Sequence, residues 1–241
     1  MDNDLLTDCA RNMWAFPLIG AFLGLLAGVF GWVALEFLPR LVVGALVLAV
    51  LLLMTGLHHT DGLLDFGDGI MVHGSAERKI EVMHDQLTGA GAIGLSLMTY
   101  VVTAFAFASF GGNIVFLQLR VPFIFPAIIL VELCAKLSMV VAARAGKSVH
   151  QGMNTSFLQY MHGNGGNTRL AAALAISLII AFLLLSWAGI VTVLAAVAGA
   201  LAMVAVAHKH FKGVTGDVFG ATNELTRMLC AVVVLGVASW A

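Results

Sequence analysis

Long uncharged apolar runs separated by short polar breaks set the plan of this chain. The first run extends from about Met13 to Phe37, closes at Pro39-Arg40, and gives way to a second aliphatic run from Leu41 to Leu57. Gly89 to Leu119 holds no charged residue or histidine, Arg120-Val121-Pro122 interrupts it, and Phe123 to Ala143 resumes. A bilayer core about 30 Å thick takes about 20 apolar residues of helix, so these are four spans. From Leu170 to Ala207 there are 38 residues without a charge, which as one helix would be about 57 Å long. That length predicts two spans turning near Ser186-Trp187-Ala188-Gly189. The last run, Met228 to Ala241, has 14 residues, and reaches span length only if Asn223 to Arg227 enter the interface or a protein-lined cavity. The pattern predicts an all-α polytopic integral membrane bundle of about seven transmembrane helices, folded as a single domain over residues 1–241.

Charge orients the bundle. With seven spans, ten of the twelve Lys and Arg fall on one side, and only Arg40 and Arg120 on the other. The positive-inside rule then puts the N-terminus in the cytoplasm, and the expected location is the cell membrane. It also gathers the polar segments 58–88, 144–169 and 208–224 on the cytoplasmic face, where three converging loops can build one site. Composition agrees: 61% of residues are hydrophobic, 10% are charged and the mean hydropathy is +1.00, against about a quarter charged in soluble domains. A net charge of -1 leaves no basic face for a nucleic acid. Cys9, Cys134 and Cys230 lie far apart without CxxC spacing, so neither a disulfide framework nor a zinc site is indicated. Asp2, Asp4 and Asp8 precede Arg11, the reverse of a signal-peptide start. The first apolar segment is therefore expected to remain in the mature protein.

The chemistry concentrates in His58-His59-Thr60-Asp61-Gly62-Leu63-Leu64-Asp65-Phe66-Gly67-Asp68-Gly69, at the end of the second run. On a helix Asp61, Asp65 and Asp68 stand at i, i+4 and i+7 and share a face. Three like charges on one stripe repel unless a cation sits among them. All-oxygen ligands suit Mg²⁺, or Mn²⁺, completed by waters and substrate phosphates, which is phosphoryl-transfer chemistry. The competing interpretation is a solvated segment whose Asp-Gly pairs merely turn the chain. Ser75 to Asp85 has the pattern of an amphipathic helix capped by Ser75, and Glu81 and Asp85 form an i, i+4 acidic pair beside His84.

Two further polar segments carry candidates. Arg144 to Arg169 includes Lys147, His150, Gln151, Asn154, His162 and a glycine-asparagine cluster, and is long enough for a donor-rich lid or for a plain connection. Lys209, Lys212, Thr215 and Asp217 surround a turn able to present backbone N–H groups to a phosphate, followed by a helix start. Asn223, Glu224 and Arg227 sit one turn apart at a depth where an unpaired charge is costly. They form either a structural ion pair or a contact to metal or substrate.

These segments resemble one family. His59 to Gly69 is similar to the H-x-D-G-L-x-D-x-x-D-G signature of cobalamin synthase, adenosylcobinamide-GDP ribazoletransferase. Glu81-Val82-Met83-His84-Asp85 followed by Gly89 resembles its E-I-M-K-D-x-x-x-G. Ser138 to Arg144 with Gly146 resembles its M-x-x-x-x-x-A-R-x-x-G, and Lys212 to Glu224 its G-G-x-T-G-D-x-x-G-A-x-x-E. The order of the four is the family's. Two departures stand out: Asp85-Gln86-Leu87 lacks the arginine many members carry two residues after the aspartate, and Ala135-Lys136 replaces a frequent Arg-Trp pair. Lys136 is expected to reach the cytoplasmic edge by snorkelling.

The resemblance implies that α-ribazole, or its 5′-phosphate, displaces GMP from adenosylcobinamide-GDP to give adenosylcobalamin or its 5′-phosphate, with Mg²⁺ as cofactor. It implies Asp61, Asp65 and Asp68 as metal ligands, joined by Glu81 and Asp85. His59 and Asp85 are the base candidates beside a catalytic Asp65. His58, Arg144, Lys147, Asn154, Lys212, Thr215, Asp217, Asn223 and Glu224 are the expected substrate contacts. The partners are these two substrates and the lipid bilayer, and a homo-oligomer is left open. The alternatives are a CDP-alcohol type membrane phosphotransferase, whose D-G-x-x-A-R is broken here by Asp65-Phe66, and a cation transporter, which would keep its acids near the bilayer midplane.

Overall fold

The apolar runs fold as helices, the arrangement besides a closed barrel that satisfies backbone amides in hydrocarbon. The computed structural model describes residues 3–116, 118–149 and 153–238, with side chains over 7–116, 118–149 and 155–237. In chain order the helices are α1 (Asn3–Arg11), α2 (Phe16–Ala34), α3 (Arg40–Met54), α4 (His58–Met71), α5 (Ala76–Met83) and α6 (Ala90–Ala108). An antiparallel hairpin follows, β1 (Asn113–Phe116) on β2 (Leu119–Pro122), with Asn113 opposite Pro122 and Phe116 opposite Leu119. Then come α7 (Ile124–Ala145), α8 (Met153–His162), α9 (Gly166–Phe211) and α10 (Gly216–Ala238). Among the described residues five helices are long and apolar enough to cross a membrane, and α3 with α4, bent by 97°, make a sixth candidate.

Helix α9 is folded in two. Its 46 residues break at Leu185 and Ser186, whose φ of -136° and 51° are not helical. Gly189 packs directly on the Ala181 carbonyl, where a Cβ would not fit. Both ends of α9 return to the C-terminal end of α7: the Arg144 guanidinium donates to the Asn167 side chain at 2.7 and 3.0 Å. The Lys147 amide donates to His208 Nε2 at 3.1 Å. The two halves are therefore antiparallel, turning where the apolar length predicts. Arg169 Nε reaches the Arg11 carbonyl at 3.0 Å, which brings the N-terminal segment to the same end. Arg40 lies against Gly111 at the opposite end, beside the hairpin that carries Arg120.

The centre of the bundle is α7, buried along nearly its whole length between α2, α9 and α10. Gly20, Gly24 and Gly28, four residues apart on α2, make this possible. A Cβ at Gly24 would stand 2.7 Å from Ile129 Cα and 2.8 Å from the Ile128 carbonyl, and one at Gly28 2.9 Å from the Phe125 carbonyl. Backbone-to-backbone approach through small residues is the usual way helices associate without a hydrophobic driving force. Gly24→Ala should force the two backbones apart, costing about 1–3 kcal/mol as overpacking does. It should lower the melting temperature in detergent, whereas Gly94→Ala, which meets nothing within 4 Å, should not.

Several boundaries differ from the sequence pattern. The third run ends as a helix at Ala108, because Gly112, at φ +83°, and the β1–β2 hairpin occupy its remainder. Segment 58–88 contains α4 and α5, segment 144–169 contains α8 and the start of α9, and 208–224 contains the first turns of α10. Most polar side chains of the first two segments stay exposed, whereas Lys79, Thr215, Asn223 and Glu224 are buried. Of the two readings of 144–169, a lid or a plain connection, the described residues form a largely helical connection, with His162 Nε2 2.8 Å from the Gly146 carbonyl. His150 and Gln151 lie outside the described residues. The short last run gains its length as foreseen: α10 starts at Gly216, and Asn223, Glu224 and Arg227 are buried in protein.

Candidate active site

Two consecutive left-handed residues, Gly56 at φ +61° and Leu57 at φ +60°, end α3 and swing the chain into α4. Glycines then let α4 wedge between α10 and α6. A Cβ on Gly62 would stand 2.9 Å from the Asp217 carbonyl, and one on Gly220 would stand 3.2 Å from Gly62 Cα and 3.1 Å from the His59 carbonyl. On the other side a Cβ on Gly67 would be 2.8 Å from the Gly91 carbonyl. The first and last of the four motifs are thus packed backbone against backbone, and the α4 stripe of acids turns toward open space.

That space is a cavity of about 310 Å³ whose walls include Asp61, Asp65 and Asp68 from α4 and Met83, His84 and Asp85 from the end of α5. Asp68 is anchored: its Oδ2 accepts from the Gly89 amide at 2.6 Å and its Oδ1 from the Ala92 amide at 2.8 Å. It thereby caps the first turn of α6, a stabilising use of a carboxylate at a helix N-terminus. Asp85 Oδ1 accepts from the Leu87 amide at 3.3 Å. Asp217 stands at the edge, with Oδ2 3.9 Å from His84 Nε2, within electrostatic reach of Asp61 and Asp65.

Among the described residues no three Asp, Glu, His or Cys side chains converge tightly enough to form a preformed metal cage. Mg²⁺ does not require one, since it is usually held through one or two carboxylates with waters and substrate phosphates filling the rest. Carboxylates around a cavity with room for several waters have the donor chemistry of such a site.

The other expected residues divide. Glu81 does not face the cavity: on α5 it lies two residues before the cavity-lining Met83, and positions i and i+2 point apart. Its carboxylate pairs instead with Arg78, 2.7 Å away on the surface. His59 lies against α10 rather than in the cavity, with Nδ1 buried and without a hydrogen-bond partner among the described residues. His58 is exposed. Thr215 Oγ1 accepts from the Val218 amide at 3.3 Å and caps α10. Arg144 and Lys147 tie α7 to the two ends of α9, and the Asn154 side chain lies outside the described residues. Lys212 faces a different cavity, across α5.

Asn223 and Glu224 belong to the interior. Arg227 donates through Nε and Nη2 to the Glu132 carboxylate and through Nη1 to Glu224. Lys136 Nζ donates to Asn223 Oδ1 at 2.7 Å, and Asn223 Nδ2 donates to Glu224 Oε1 at 3.0 Å. Two cations and two anions, all buried, form a closed neutral network between α7 and α10. Lys136 does not snorkel to the edge, because Asn223 offers an acceptor within the bundle. Glu132 escaped the sequence analysis; its one signal is an acid four residues before Lys136 inside an otherwise apolar run.

Comparison with known proteins bears on the four motifs together. The family model for cobalamin-5-phosphate synthase matches residues 2–235. An adenosylcobinamide-GDP ribazoletransferase of Methanocella arvoryzae is 32% identical over 96% of this chain and 87% of its own. Proteins of the same name from Thermococcus onnurineus, at 33% over 90% and 84%, and from Methanococcoides burtonii, at 26% over 97% and 85%, are also similar. No solved structure matches the chain. Since the match takes in both halves of the Gly62–Gly220 contact and the acidic cavity beside it, the chain belongs to the cobalamin-5-phosphate synthase family.

Proposed function

We propose that this membrane-embedded transferase joins adenosylcobinamide-GDP to α-ribazole or its 5′-phosphate, releasing GMP, at the cavity between α4, the end of α5 and the start of α6. Four aspartates around one cavity, where two glycine-bearing motifs pack together, are the observation that supports it. A ribose hydroxyl of α-ribazole forms a bond to the phosphorus attached to the cobinamide side chain, and the bond from that phosphorus to GMP breaks. Mg²⁺, or Mn²⁺ in its place, would be held by Asp61 and Asp65 and would neutralise charge on the phosphates. Asp68, fixed by two backbone amides, keeps one wall rigid. Asp85, which lines the cavity, would take the proton of the attacking hydroxyl in preference to His59, which does not line it. Asp217 and His84 border the cavity and would orient substrate there. The cavity opens to the cytoplasm of the cell membrane, in the orientation that the Lys and Arg distribution favours.

Purified protein supplied with adenosylcobinamide-GDP, α-ribazole and Mg²⁺ should release GMP in step with adenosylcobalamin. Chelation should abolish both. Absence of GMP release from folded protein with metal present would overturn the proposal.

A further inference from the structure

Across α5 from the acidic cavity lies a second, larger one of about 770 Å³, enclosed by the end of α4, the start of α5 and the end of α9. Its character is cationic: Lys79, Lys209, Lys212, His73 and His210 line it, and Glu77 is the one acid among its described lining. Lys79 is only 8% exposed. Its Nζ lies 3.4 Å from the Ile70 carbonyl and 3.3 Å from His210 Nδ1, so neither neighbour is an anion. A buried ammonium without a counter-ion is expensive. Lys212 adds a second cost. It ends α9 at φ +67°, the left-handed position that glycine usually fills, although Gly213 is the next residue. The backbone there favours glycine, so the side chain is what a lysine supplies.

We propose that this cavity is an anion site that takes a phosphate group, whether carried by a soluble nucleotide or by a phospholipid headgroup at the bilayer surface. Lys79 forms its floor, and Lys209 in the last turn of α9 and Lys212 just after it line its other side. Charge-assisted hydrogen bonds from ammonium groups to phosphate oxygens supply the affinity. The site stands on its own charges and does not depend on the reaction assigned to the acidic cavity.

Inorganic pyrophosphate is the probe, titrated calorimetrically at low salt with EDTA present so that no metal can bridge it to the aspartates. The detergent-purified protein should bind it. Lys79→Gln and the double variant Lys209→Gln/Lys212→Gln should each weaken binding about tenfold or more, while Arg78→Gln, on the outer face of α5, should not. The double variant changes only exposed side chains, so it reports even if Lys79→Gln does not fold. Repeating the titration in nanodiscs of phosphatidylcholine with and without phosphatidic acid identifies the source. Competition by phosphatidic acid assigns the site to a lipid headgroup, and undiminished pyrophosphate binding assigns it to a soluble phosphate. Failure of the wild-type protein to bind pyrophosphate or phosphatidic acid, or equal binding by the double variant, would overturn the proposal.

Discussion

Asp65→Asn should yield a folded protein whose transfer rate is lower by about 10²-fold or more and whose remaining activity needs more Mg²⁺. The substitution keeps the side-chain shape and removes one charge from the middle of the α4 stripe, one turn from Asp61 and about one turn from Asp68. With three carboxylates on one face and Asp217 nearby, losing one relieves repulsion in the metal-free protein. The melting temperature measured in EDTA should therefore stay level or rise. A purely structural aspartate predicts the reverse pattern: lower stability, near-normal turnover per folded molecule and an unchanged Mg²⁺ midpoint. Turnover across a Mg²⁺ titration, with Glu36→Gln as an exposed control in the turn just after α2, separates the two. Wild-type turnover by Asp65→Asn at limiting Mg²⁺ would end the metal-site assignment.

Arg227→Met should be the most damaging change to the fold. It leaves the Glu132 and Glu224 carboxylates buried without their shared cation, and breaking a buried ion pair from one side costs about 3–5 kcal/mol. Little folded protein should be recovered, and what is recovered should melt well below the wild type. Glu132→Leu combined with Arg227→Met restores neutrality, since Lys136 and Glu224 remain linked through Asn223. That pair should regain much of the lost stability, and a double-mutant cycle read by thermal unfolding would register the difference as coupling. Arg227→Met with an unchanged melting temperature would show that the network contributes little.

What could be read from the sequence follows from distance along the chain. The spans were legible because membrane insertion depends on runs of neighbours, and the fold of α9 at Ser186 because 38 uncharged residues exceed the bilayer. The α4 stripe was legible because i, i+4 and i+7 share a face whatever surrounds them. Glu81 was misplaced because its charge is plain in the sequence while the direction of α5 is set by packing. The capping role of Asp68 was hidden because its partners lie 21 and 24 residues away. Glu132 was hidden for the same reason, its partner being 95 residues on. Lys212 was assigned to the substrate because it neighbours Thr215 and Asp217, yet the turn after α9 sends it to the other side of α5.

That 95-residue separation has a consequence for biogenesis. At about 5–20 residues per second, a ribosome takes roughly 5–20 s to reach Arg227 after making Glu132. During that interval α7 must leave the translocon carrying an acid and a base with neither final partner yet synthesised. Glu132 and Lys136, one turn apart in the favourable order with the acid first, can neutralise each other while they wait. The network can close only when α10 arrives with Asn223, Glu224 and Arg227, so its closing is a late step in assembly.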